Sequence, residues 1–166
     1  MHPAALEPIE LLKHCDITRT RRGGPGGQHR NKVETAVVIT HRPTGLTGQA
    51  SERRSQDLNR QAAVQRLRIT LALSVRTAVG PDDPLSDLWQ SRVRGRQLSV
   101  SAEHEDFPAL LAEALDRLAA CDWEAAIAAG QLGLTTTQLV KFLKLESAAM
   151  QQLNQARVKA GLKLLK

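Results

Sequence analysis

Tyrosine is absent from this sequence, and Trp89, Trp123, Phe107 and Phe142 are its only aromatic residues. So few rings argue against a sheet that reads single-stranded nucleic acid by stacking bases, and the two tryptophans read as packing residues. No apolar run approaches the roughly 20 residues that a membrane-spanning helix needs, and Met1–Leu11 lacks the pattern of a secretory signal. Cys15 and Cys121 lie far apart in sequence and fit no metal-ligand spacing, so they read as free thiols of a reducing cytosol. No Walker loop, dinucleotide fingerprint, Cys/His cluster or convincing Ser-His-Asp order is present, so neither a metal nor a small-molecule cofactor is expected.

Charge is what the chain has in quantity, and it is unevenly spread. Residues 1–100 carry 16 basic and 9 acidic side chains, residues 101–140 carry one and seven, and residues 141–166 carry six and one. Two basic regions flanking an acidic one imply a polyanionic partner held through phosphates. With no membrane segment in view, a nucleic acid is the better partner, and a cytoplasmic monomer is the expectation.

The pattern along the chain predicts an α+β fold followed by an all-α region. Leu6–Cys15 suggests a short helix, Ile17–Arg21 an exposed strand, and Thr35–His41 with Leu46–Ala50 a hairpin turned at Pro43-Thr44-Gly45. Ser55 is the expected N-cap of a helix running to about Leu73, with Asp57 in its first turn. Leu58, Ala62, Ile69 and Leu73 are its expected packing face, with Arg54, Arg60, Arg66 and Arg68 elsewhere on the helix. The domain divisions expected are 1–79, an irregular linker at 80–105, and a helical domain at 106–166. Within the last, helices are expected near Pro108–Ala120, Trp123–Gly130, Thr136–Lys144 and Ser147–Lys159. Glu124–Leu143 has the look of a helix-turn-helix, which serves packing as readily as binding.

Between the first strand and the hairpin, Gly23-Gly24-Pro25-Gly26-Gly27 cannot sit inside a regular element. It leads into the polar block Gln28, His29, Arg30, Asn31, Lys32, and glycine there lets main-chain N–H groups approach a ligand with no Cβ in the way. This block resembles the Gly-Gly-Gln signature of class I peptide-chain release factors. The resemblance extends over Gly24–Lys32, Ala36–His41, Pro43-Thr44-Gly45 and Glu52-x-Arg54-Ser55-Gln56-x-x-Asn59. A bare Gly-Gly-Gln is a weak signal, and the ordered set is a strong one.

The resemblance implies a ribosome-dependent hydrolase of the peptidyl-tRNA ester, with Gly26, Gly27 and Gln28 as the catalytic residues. Gly26 and Gly27 would give the loop its backbone shape. The Gln28 main-chain N–H would stabilise charge on the departing tRNA oxygen while its side chain admits water and excludes larger nucleophiles. His29, Arg30, Asn31 and Lys32 would contact ribosomal RNA or the tRNA end, with Arg53, Arg54 and Arg60 as further phosphate contacts. The arginines of the predicted helix also suit a solvated face. Two departures from the family pattern are Arg30, where valine is common, and Arg22-Gly23, where small serines are common.

Only about 20 residues precede the loop, and no stop-codon-reading tripeptide stands in a suitable context. The resemblance is therefore to short factors that rescue stalled ribosomes. Lys141, Lys144, Arg157, Lys159, Lys163 and Lys166 are the candidate RNA contacts of the C-terminal region, whose tail is sparser and more helical in pattern than that of such factors. Two rivals remain: a ribosome- or RNA-binding module without hydrolysis, and a DNA-binding regulator built on the helix-turn-helix-like segment, against which the adjacent acidic stretch counts.

Overall fold

The computed structural model describes residues 1–20 and 36–166. Two compact units are present, one made of Pro3–Leu71 and the other of Met1–His2 with Ala72–Lys166.

The first unit is a three-stranded antiparallel sheet with a long helix. A 3-10 turn at Pro3–Ala5 and helix α1 (Pro8–Lys13) precede strand β1 (Cys15–Thr20). Strand β2 (Ala36–His41) lies at the centre, between β1 and β3 (Thr47–Ala50). The register pairs Ile17 with Ile39, Arg19 with Val37 and Thr20 with Ala36. Along β2 the β-branched run buries Val37, Ile39 and His41 and leaves Val38 and Thr40 more open, the period-2 alternation of a sheet with one covered face. The His41 carbonyl accepts from the amides of Thr44 and Gly45, closing the expected turn.

Helix α2 (Gln56–Ser74) covers that face, and Gly48 of β3 sets how closely. A Cβ on Gly48 would lie 2.2 Å from the Ala63 carbonyl oxygen and 2.4 Å from the Leu67 nitrogen, so glycine alone permits this approach of helix backbone to strand. This contact fixes the buried stripe as Asn59, Ala63, Val64, Leu67, Arg68, Leu71 and Ala72. It differs from the expected stripe of Leu58, Ala62, Ile69 and Leu73: Leu58 is 50% exposed. The stripe runs through two polar residues because each finds backbone partners. Arg68 Nε donates to the Ala4 carbonyl at 3.0 Å, which also removes Arg68 from the cations of the open face.

The second unit is helical apart from one ribbon. Residues 80–105, read above as irregular, contain helix α3 (Asp87–Arg92) and a ribbon of β4 (Val93–Arg94) and β5 (Gln97–Leu98). Ser86 caps α3, its hydroxyl accepting from Trp89 N at 3.1 Å. Gly95 and Arg96 both take positive φ, 53° and 64°, as a two-residue ribbon turn that matches strand twist demands. Helix α4 (Phe107–Ala120) is buried on nearly every side and forms the centre. Around it lie α5 (Ala125–Gln131), α6 (Thr136–Leu143) and α7 (Ser147–Lys159), close to the expected spans.

Trp89, Phe107 and Phe142 pack edge to face in the core, with Phe142 6.1 Å from Trp89 and 5.6 Å from Phe107 between ring centroids. The Trp89 indole N–H donates to the Leu132 carbonyl at 2.9 Å, so the ring is spent on packing. Leu132 opens the turn between α5 and α6, where Gly133 has φ 68° and Thr135 caps α6 through Gln138 N. That turn is therefore anchored to the core from beneath.

Candidate functional site

Gly26, Gly27, Gln28, His29, Arg30, Asn31 and Lys32 lie outside the described residues. What is described is the frame on either side of them. The chain leaves the sheet at Thr20 and re-enters it at Ala36, and these two residues are cross-strand partners at the end of a six-pair ladder. At the other end of the ladder Arg42 donates to the carbonyls of Cys15 at 2.8 Å and Lys13 at 2.5 Å, and to Asp16 Oδ1 at 2.9 Å. Both strands that carry the glycine-rich segment are thereby tied together at their far ends.

The connection from β3 to α2 holds two of the candidate cations. Arg53 and Arg54 are exposed there. Asn59, fully buried, accepts from Arg53 N at 2.9 Å and donates to the Arg53 carbonyl at 2.9 Å. One amide side chain thus satisfies both polar groups of the Arg53 backbone and holds this stretch in place without using either guanidinium. Arg66 is bound elsewhere: it contacts Glu52 at 2.6 Å and the Gln49 carbonyl at 2.7 Å. Hydrogen bonding to Arg66 lowers the Glu52 carboxyl to about 2. The arginines near α2 are thus divided between framework, Arg66 and Arg68, and open surface, Arg53, Arg54 and Arg60.

Arg60 lines a cleft of roughly 390 Å³ with Ile17, Arg19, Val37, Gln56 and Asp57. The cleft lies between β1, β2 and the first turns of α2, and its Arg19–Val37 pair is next in register to Thr20–Ala36. Arg19 was not among the candidates drawn from the sequence, though strand alternation would have placed it on the face of Ile17. Neither Arg19 nor Arg60 has an acidic partner among the described residues.

The C-terminal candidates do not converge on one groove. Lys144 and Lys159 border an open, largely apolar trough of roughly 680 Å³ that includes Met150, Val158 and Leu164; Lys141, Arg157, Lys163 and Lys166 do not line it. Past α7 the chain reverses at Gly161, φ 72°. Asn154 then clamps the Leu165 backbone, accepting from its N–H at 2.9 Å and donating to its carbonyl at 3.0 Å, while Arg157 Nε donates to the Lys163 carbonyl at 2.9 Å. Among the described residues no group of His, Cys, Asp and Glu is placed to hold a metal ion, and no helix is long and apolar enough to cross a membrane.

Comparison with known proteins adds a resemblance over part of the chain. The RF-1 domain matches residues 9–83. Peptide chain release factor PrfB1, chloroplastic, of Arabidopsis thaliana is 55% identical over 56 residues, which are 34% of this chain and 12% of that protein. Peptide chain release factor 1 of Caldicellulosiruptor saccharolyticus is 50% identical over 56 residues, 34% of this chain and 16% of that protein. Peptide chain release factor 2 of an Acidovorax species (strain JS42) is 43% identical over 74 residues, 43% of this chain and 20% of that protein. The chain thus spans between about an eighth and a fifth of the length of these relatives. No solved structure matches significantly. The RF-1 domain takes in the three strands, the glycine-rich segment, Arg53, Arg54, Asn59 and the cleft; α3 to α7 fall beyond it.

Proposed function

We infer that this chain hydrolyses the ester of peptidyl-tRNA on the ribosome, and that it does so as a stop-codon-independent rescue factor. The observation that carries the reading is Gly26-Gly27-Gln28 standing inside an RF-1 domain, on the connection between two paired strands. In this reading Gly26 and Gly27 shape the backbone so that the Gln28 N–H meets the oxygen leaving with the tRNA. Water, oriented by the glutamine side chain and the ribosome, attacks the ester carbonyl carbon. The acyl–oxygen bond breaks, and the products are a free peptide carboxylate and a tRNA hydroxyl. His29, Arg30, Asn31, Lys32, Arg53, Arg54 and Arg60 bind phosphates of ribosomal RNA or tRNA around this step.

Stall recognition falls to the basic face of α2 or to the C-terminal region, residues 106–166, joined through 80–105 to a catalytic domain of residues 1–79. Lys141, Lys144, Arg157, Lys159, Lys163 and Lys166 are its proposed RNA contacts. The factor works as a cytoplasmic monomer with no cofactor.

The test is peptide release from ribosomes stalled without a stop codon. Gly27→Ala, which disturbs the backbone at the amide donor, is expected to cost about 10²–10³ in rate, the usual effect of losing one positioned donor. Gln28→Ala keeps the main-chain N–H, so it should cost less and should admit larger nucleophiles such as hydroxylamine. Undiminished release by both variants would sink the hydrolase assignment. Ribosome binding without release by the native chain would favour a non-catalytic RNA-binding module.

A further inference from the structure

We propose that the cleft between β1, β2 and the start of α2 is a nucleotide pocket that takes one extruded guanosine of ribosomal RNA. The proposal rests on the ribosomal reading only for the source of that nucleotide; the pocket itself is argued from its walls. Those walls combine three kinds of chemistry in one unit of the fold. Ile17, 40% exposed, offers an aliphatic surface on which the face of a base can lie, with the buried Val37 behind it. Arg19 and Arg60 line the cleft from the strand and helix sides, and neither forms an ion pair with an acid among the described residues. Two arginines on one cleft, one from a strand and one from a helix, suit a phosphodiester, which accepts forked hydrogen bonds.

Asp57 decides between ligands. Asp57 lines the same cleft, and an acceptor-only carboxylate there disfavours a bare phosphate or sulfate. It calls instead for a ligand that brings hydrogen-bond donors along with its phosphate. Among the four RNA bases, guanine alone presents two adjacent donors, N1–H and N2–H2, on its Watson–Crick edge, and a carboxylate accepts such a pair through both oxygens. A volume of roughly 390 Å³ is near the lower end of small-molecule sites, about 300–1,000 Å³. That is room for one nucleotide rather than a duplex segment, and single-stranded loops with splayed bases are where RNA is read by its edges.

Two arms separate the pocket from its source. First, the native chain in solution is titrated with GMP, AMP, CMP and UMP while amide resonances are followed. Shifts centred on Ile17, Arg19, Val37, Asp57 and Arg60, with GMP bound about tenfold more tightly than the other three, are expected. Asp57→Asn should reduce that preference, and Arg19→Ala and Arg60→Ala should each weaken GMP without changing which base is preferred. Equal shifts for all four nucleotides, shifts elsewhere, or no shifts would overturn the pocket.

Second, ribosomes with and without the native chain are treated with a guanine-specific modifying reagent. Protection of one ribosomal RNA guanine by the native chain, lost with Asp57→Asn while the protein still binds, is expected. Tight GMP binding with no protected guanine would overturn ribosomal RNA as the source and leave a free guanine nucleotide as the ligand. Peptide release is not read in either arm, so failure of the hydrolase reading and failure of the pocket give different results.

Discussion

The two units of this chain fill their interiors in opposite ways. In the sheet unit, helix and strand touch backbone to backbone at Gly48, and the sequence places no Trp, Phe or Tyr there; the core includes Val37, Ile39, Ala63, Leu67 and Leu71. In the helical unit, Trp89, Phe107 and Phe142 fill the space, and the indole also anchors the α5–α6 turn. One interior is intolerant of added atoms and the other of removed ones, because close-packed interiors cost free energy either way.

Removing the large ring should give the largest effect. Trp89→Ala loses its packing and strands the Leu132 carbonyl, and should cost about 3–5 kcal/mol in denaturant unfolding. An intact midpoint would show that the aromatic cluster is dispensable. Next comes Gly48→Ala, whose new methyl group would overlap the Ala63 and Leu67 backbone; about 1–3 kcal/mol is expected from overpacking. Stability unchanged by this variant would mean that α2 can move off the sheet at no cost.

The same comparison can be sharpened with two asparagines that do the same work in different places. Asn59 and Asn154 each hold one residue's backbone through both of its polar groups, but Asn59 is fully buried and Asn154 only partly. Asn59→Ala leaves buried partners unsatisfied and should cost about 1–3 kcal/mol, whereas after Asn154→Ala water can replace the lost bonds at about 1 kcal/mol or less. Thermal melts of the two variants should rank in that order, and the reverse order would contradict the burial argument.

Acid should give the smallest effect and should again separate the units. Burial lowers the His41 imidazole, so the unfolded chain binds a proton that the folded sheet unit resists, and stability is lost as pH falls through about 6.5. Glu52, held at about 2 chiefly by Arg66, contributes stability that is present above its unfolded value and lost as pH falls from about 4.5 towards 2. Both act in one direction. In the helical unit, burial lowers His2 and raises Asp116, so acid weakens the unit through the first and strengthens it through the second. Amide-exchange protection measured between pH 7 and pH 4 should therefore fall more in β2 and β3 than in α4.

Much of the architecture was legible before any coordinates. The β-branched run Ala36–His41, the turn after it, Asp57 in a first helical turn and the four C-terminal helices follow from period and capping, and these are local properties. The stripe of α2 was misjudged by about one residue because Asn59 and Arg68 look like surface residues until their backbone partners are known. Trp89–Val100 has no sustained period, and its short helix and ribbon depend on the Ser86 cap and the Gly95-Arg96 turn. Of the candidate site, Arg53, Arg54 and Arg60 were visible as charge, and Arg19 was missed because strand alternation puts it beside Ile17 without showing that the start of α2 lies next to it.

The amino-acid sequence by itself determined the Gly-Gly-Gln block, the uneven charge and the order of elements, since these depend on residues close together along the chain. Tertiary structure alone decided which arginines are framework and which are open. It also decided that Gly48 sets the helix on the sheet, and that Arg19, Asp57 and Arg60 share a cleft. The physical reason is that burial and charge pairing depend on partners far apart in the chain: Arg68 meets Ala4, Arg66 meets Gln49, and Arg19 faces the start of a helix nearly forty residues on.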